Sequence, residues 1–109
     1  MNTQLTPLTT QFVESMNAQN SADFIACFRA DAVVEDEGQT YHGIAEIQAW
    51  IEEAFRTARP FLVVTSASFS DTGAVITGDL SGSFPGSPVV LHYHLTITQD
   101  QISALRCTV

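Results

Sequence analysis

The sequence predicts a single α+β domain over residues 1–109, and three observations carry that prediction. Apolar residues recur with a helical period as far as Pro60 and with a period of 2 beyond it. The later segments are joined by short turns, which make neighbouring strands antiparallel. A chain of 109 residues, 45% hydrophobic and 15% charged, suits one folded core. Helices followed by a meander place the helices on one face of a sheet.

Thr6-Pro7 is a helix start, with Thr as the cap and Pro at a position that needs no N–H. Leu8, Phe12 and Met16 form its apolar stripe, Val13 widens it, and the helix should end near Gln19. Asn20 or Ser21 then caps a shorter helix carrying Phe24, Ile25, Cys27 and Phe28. Residues 33–36 read as the first strand, and residues 39–42 pair with it across Glu37-Gly38. A third helix opens at Gly43, buries Ile44, Ile47, Ile51 and Phe55 with Trp50 beside them, and closes at Pro60.

Residues 61–69, 74–84, 89–98 and 102–109 read as four further strands. Their connections are Asp71-Thr72-Gly73, Pro85-Gly86-Ser87-Pro88 and a tight turn at Gln99-Asp100. Gly78 and Gly82 fall inside the second of these strands, where glycine lets a strand bend or approach another surface. A sheet bent around three helices makes a cone, and a cone can hold a cavity.

The net charge of −8, with four basic residues, argues against nucleic acid and against an anionic membrane surface. It suits neutral, apolar or cationic small ligands, or solubility alone. No apolar run approaches the ~18 residues of a membrane span. The first residues, Met-Asn-Thr-Gln-Leu-Thr-Pro, lack the basic head and apolar run of a secretory signal. Cys27 and Cys107 follow no metal-ligand spacing and read as reduced, buried thiols of a cytoplasmic protein.

Asp36 is the residue on which a chemical reading turns. If Ala32, Val34 and Asp36 share one strand face, the carboxylate points where the apolar residues go. Two readings stay open: an acid in a cavity, whose pKa burial and neighbouring acids would raise, or a solvated acid between Glu35 and Glu37 at a turn. The alternation Val89, Leu91, Tyr93, Leu95, Ile97 assigns the odd positions to the inner face. Tyr93 then either donates into the cavity or sits as a core tyrosine, and Tyr41 lies at the rim. The same alternation turns His92 and His94 outward, so no metal site is expected from that pair.

Three stretches carry a family resemblance: Phe-Val-Glu-Ser-Met-Asn-Ala at 12–18, Phe-Arg-Ala-Asp-Ala-Val-Val-Glu-Asp at 28–36, and Tyr-His-Gly-Ile-Ala-Glu-Ile at 41–47. With the element order, the chain resembles the nuclear transport factor 2-like superfamily, and within it the SnoaL-like and ketosteroid isomerase-like proteins. The resemblance implies a cone-shaped fold with cystatin-like topology, three N-terminal helices on a strongly bent, mostly antiparallel sheet, and a homodimer paired through outer sheet faces. It implies a ligand pocket walled by Phe12, Met16, Phe28, Val34, Tyr41, Trp50, Leu91, Leu105 and Cys107.

By resemblance Asp36 falls on the general base of ketosteroid isomerases. The two oxyanion donors of those enzymes do not carry over. Phe12 occupies the helix position, and the sheet position falls on Leu91 by alternation, or on His92 if the hairpin is aligned without a gap. One missing donor costs ~2.7–4 kcal/mol of transition-state stabilisation, so steroid isomerase activity is disfavoured. Two functional readings follow. One is a pocket protein for a small apolar molecule, with proton transfer by Asp36, Tyr93 or Tyr41 as donor, and no metal or organic cofactor. The other is a non-catalytic module that sequesters a ligand or binds a protein through the same cone.

Overall fold

The computed structural model describes residues 4–109; the three residues before them, part of the stretch read for a secretory signal, lie outside the description. Helix α1, Pro7–Asn17, starts as its residues dictate: the Thr6 hydroxyl accepts the Thr9 N–H while the Thr9 hydroxyl accepts the Thr6 N–H. It ends two residues before the expected Gln19, which takes a left-handed conformation and turns the chain. Asn20, of the two candidates, caps α2, Ser21–Ile25, by accepting the Asp23 N–H.

α2 stops short of Cys27 and Phe28, which the sequence placed on it. Phe28 instead opens strand β1, Phe28–Asp36, where it pairs with Ile102 ahead of a register shift. Phe28 thus reaches the core from the sheet and not from a helix face. Strand β2, Gln39–His42, pairs back across a turn in which Glu37 and Gly38 both have positive φ. Helix α3, Gly43–Thr57, buries Ile47, Ile51 and Phe55 and ends before Arg59 and Pro60.

Strands β3, Phe61–Phe69, β4, Gly73–Ser81, β5, Val89–Thr98, and β6, Gln101–Thr108, complete a six-stranded sheet in the order β2-β1-β6-β5-β4-β3. All neighbours are antiparallel except β1 and β6, which run parallel. The sheet is curved and does not close. Register shifts in β1–β6, β3–β4 and β5–β6 supply local bends. At Gly78, opposite the β3 irregularity, a Cβ would run into the Val63 carbonyl and the Leu62 side chain. Gly82 lies past the end of β4, not inside it. There the chain packs on the end of α3, and Ser83 donates to the Ala58 carbonyl at 2.7 Å.

Phe12, Phe24, Val34, Ile47, Ile76, Ile102 and Leu105 are fully buried between the helices and the concave sheet face. Phe24 is the hub, with ring centroids 5.2–6.2 Å from those of Phe12, Phe28, Trp50 and Phe55. No helix among the described residues is long and apolar enough to cross a membrane.

Candidate functional site

Strand pairing converts the sequence alternation into rows of inward side chains. One row runs Val34, Leu105, Leu95, Ala74 across β1, β6, β5 and β4. Two residues further along β1 and β6, the next row carries Asp36, Cys107, Tyr93 and Ile76: Tyr93 pairs with Cys107 and Ile76, and Asp36 sits one step past the Glu35–Arg106 pair. The first row is wholly apolar. The second brings a carboxyl, a thiol and a phenol to neighbouring strands.

Asp36 is half-buried at the end of β1, on the face of buried Ala32 and Val34. Its Oδ2 accepts a hydrogen bond of 3.2 Å from the Trp50 indole N–H on α3. Its Oδ1 accepts none, and since no buried side-chain oxygen among the described residues lacks a partner, that oxygen reaches solvent. The ion pairs among the described residues are Arg29–Asp31 and Arg56–Glu53, so no cation faces Asp36. Burial raises its pKa above the ordinary carboxylate value, the Trp50 bond opposes that, and Glu37 adds to it.

Tyr93 is 5% exposed and meets the Phe12 ring edge-on at 5.6 Å. Its hydroxyl lies 3.7 Å from the Met16 sulfur, a weak acceptor that leaves most of its donor capacity unspent. Burial pushes the phenol pKa far up, with Cys107 and Asp36 adding, so Tyr93 stays protonated. Burial, Asp36 and Glu37 likewise hold the half-buried Cys107 as a thiol. Cys27, buried near Asp23, is pushed up to about 11. Neither cysteine has the thiolate character of a nucleophile.

The other residues read as pocket wall divide by depth. Phe12, Met16, Phe28, Val34 and Leu105 are at most 3% exposed and pack against one another as core. Tyr41, Trp50, Leu91 and Cys107 are half-buried at the mouth of the sheet. Tyr41 and Trp50 pack with ring centroids 5.7 Å apart and planes 30° apart. They line an open groove with Thr40, Glu46, Ala49 and Glu53. A larger open groove along α1 and α2 shares no lining residue with this region, and its Gln11 and Asn20 side chains bond to Asp23. Asp36 lines neither groove; we place the candidate site at the mouth because Trp50, which lines the smaller groove, bonds the inward carboxylate there.

Leu91 pairs with Gly78 in the inward register, so His92 faces the other way with His94. Their rings lie 6.4 Å apart, His92 Nδ1 at 2.8 Å from Thr77 Oγ1 and His94 Nε2 at 2.9 Å from Thr108 Oγ1. Among the described residues no group of three or more His, Cys, Asp or Glu side chains is arranged to hold a metal ion. Sequence reasoning missed the Trp50–Asp36 bond. Trp50 showed as a residue beside an apolar stripe and, by resemblance, as pocket wall, and nothing in the spacing of the two signals contact.

A family model for the SnoaL-like domain matches residues 9–104. No curated protein matches the chain. Among solved structures, a Sinorhizobium meliloti protein provisionally assigned as a polyketide cyclase is 29% identical with a TM-score of 0.91, covering 95% of each chain. A Catenulispora acidiphila protein with a ketosteroid isomerase-like fold, solved in complex with trimethylamine, is 17% identical with a TM-score of 0.86. That match covers 97% of this chain and 87% of the other. A cystatin-fold protein from Novosphingobium aromaticivorans is 14% identical with a TM-score of 0.80, covering 94% and 95%.

Proposed function

The chain belongs to the SnoaL-like domain family of the nuclear transport factor 2-like superfamily, and on that premise we propose that it binds a small, largely apolar molecule at the mouth of its cone and moves a proton on it. Asp36 is the general base and Tyr93 the donor, with Tyr41 at the rim. The observation that carries this reading is the carboxylate itself: inward, half-buried, without a cation, and with a raised pKa. Such a group takes and returns a proton near neutrality more readily than a solvated acid. Its second oxygen is open to a ligand.

The reaction class is that of the isomerases and cyclases whose fold the chain shares: removal of a proton next to a carbonyl, with the phenol of Tyr93 meeting the developing enolate oxygen. Phe12 offers no donor on the helix side and Leu91 none on the sheet side. This supports a substrate other than a steroid. No metal or organic cofactor enters the proposal.

The experiment is solvent deuterium incorporation into a panel of cyclic ketones and β-dicarbonyl compounds, followed by proton NMR. We expect Asp36→Asn to slow exchange of the best panel member by ~10²–10⁴-fold, the usual contribution of a positioned base. Equal exchange in the parent and Asp36→Asn removes Asp36 from the chemistry. A second reading, a non-catalytic binding module, is supported by the depth of packing at Phe12, Met16, Phe28, Val34 and Leu105. It predicts ligand-induced thermal stabilisation with no exchange in any variant.

We also propose a homodimer paired through the outer sheet face. Phe61, Val63 and Val90 are about half exposed there, and Val63 and Val90 both flank Asp79. Light scattering decides this, and a monomer at micromolar concentration discards it.

A further inference from the structure

The indole of Trp50 is held on three sides. Tyr41 packs on it at 5.7 Å, Phe24 lies at 6.2 Å, and its N–H is committed to Asp36 Oδ2 at 3.2 Å. Trp50 follows buried Ile47 by one helical turn and precedes buried Ile51, so α3 itself is anchored beneath it. A ring confined in this way directs its N–H along one line. It takes one carboxylate oxygen and leaves the other unbonded.

We infer that Trp50 is the positioning residue of the site: its indole N–H holds Asp36 Oδ2 so that Oδ1 alone is presented to the ligand. Trp50 does this without touching the reacting atoms. A bond from a neutral donor stabilises the ionised carboxylate and opposes the effect of burial. Trp50 therefore fixes the direction of the base and partly offsets the larger effect of burial on its pKa. The titratable groups that face Asp36 are Glu37 from the same turn, Cys107 from β6 and Tyr93 from β5. Cys107 and Tyr93 stay protonated through the acid range and so add no change of charge beside Asp36 there. Glu46 and Glu53 are the acids that line the groove with Trp50.

The inference rests on Asp36 being the working carboxylate, but its test needs no ligand and no turnover. The chain has one tryptophan, so its indole N–H gives one resonance. In the parent that resonance should move with pH in step with the Asp36 carboxyl carbon. Asp36→Asn should remove that step. Trp50→Phe keeps the ring and removes the N–H, and in it the Asp36 carboxyl should titrate at a higher pH than in the parent.

A merely structural Trp50 would lower stability in Trp50→Phe and leave the Asp36 titration where it was. That result overturns the inference, as does an indole resonance that ignores Asp36. If Trp50→Phe does not fold, the comparison of the parent with Asp36→Asn still decides the matter. Loss of titration linkage with exchange still dependent on Asp36 sinks this inference and leaves the proposed function standing. Linkage present without Asp36-dependent exchange sinks the proposed function, and with it the positioning role, and leaves only the Trp50–Asp36 bond.

Discussion

Two neighbouring rows of the same sheet differ in what covers them. The row Val34, Leu105, Leu95, Ala74 belongs to the buried core, and no member is more than 6% exposed. The row Asp36, Cys107, Tyr93, Ile76 begins two residues further along β1 and β6, and its first two members are half-buried. Both rows face inward by the same alternation. Alternation chooses a face, and the supply of rings from α1, α2 and α3 decides how deeply that face is covered. Phe12, Phe24 and Phe28 pack on one another and Phe12 also covers Tyr93 of the second row, while Trp50, with Tyr41 on it, reaches the Asp36 end of that row.

The contrast breaks most sharply at the hub. Phe24→Ala should cost ~3–5 kcal/mol, because four other rings lose a partner and the cavity cannot collapse. That is a large share of the ~5–15 kcal/mol of a typical domain, and denaturant unfolding would read it as a drop in midpoint at constant slope. A cost near zero would mean that the closed row owes nothing to the cluster.

At the mouth the expected effect is smaller and has the opposite sign. Folding raises the Asp36 pKa, so the native chain holds that proton more tightly than the unfolded chain does. The resulting stabilisation is complete below 3.8, the ordinary value, and is lost as pH rises through the folded value. Asp36→Asn removes the ionisation while its amide oxygen can still accept the Trp50 bond. It should raise Tm at pH 7 and lose that advantage at pH 3.5 by differential scanning calorimetry. An unchanged Tm at pH 7 would place the carboxylate in solvent, and a fall would place it in a stabilising contact.

The outer face should give the smallest effect. Burial, then Arg106 and His92, lower the pKa of His94, so its contribution is present above 6.5 and is lost as pH falls through the folded value. His94→Gln should therefore lessen the loss of stability between pH 6.5 and pH 5. An unchanged acid limb would show that the bond to Thr108 does not depend on the charge state of the ring.

The sequence by itself determined the element order, the helix cap at Thr6, and the inner and outer residues of β5. These depend on local dihedral preference, on period and on turn chemistry, all of which act within a few residues. It left Asp36 either on the face of Ala32 and Val34 or solvated at the turn, and it kept His92 and His94 apart from Tyr93. Tertiary structure alone decided that Phe28 enters the core from β1, that five of the expected pocket residues are packed as floor, and that Trp50 reaches Asp36. Depth of burial and contact across elements depend on where α3 settles against the end of β1. That position is the sum of many packing contacts, and no spacing between residues 36 and 50 records it.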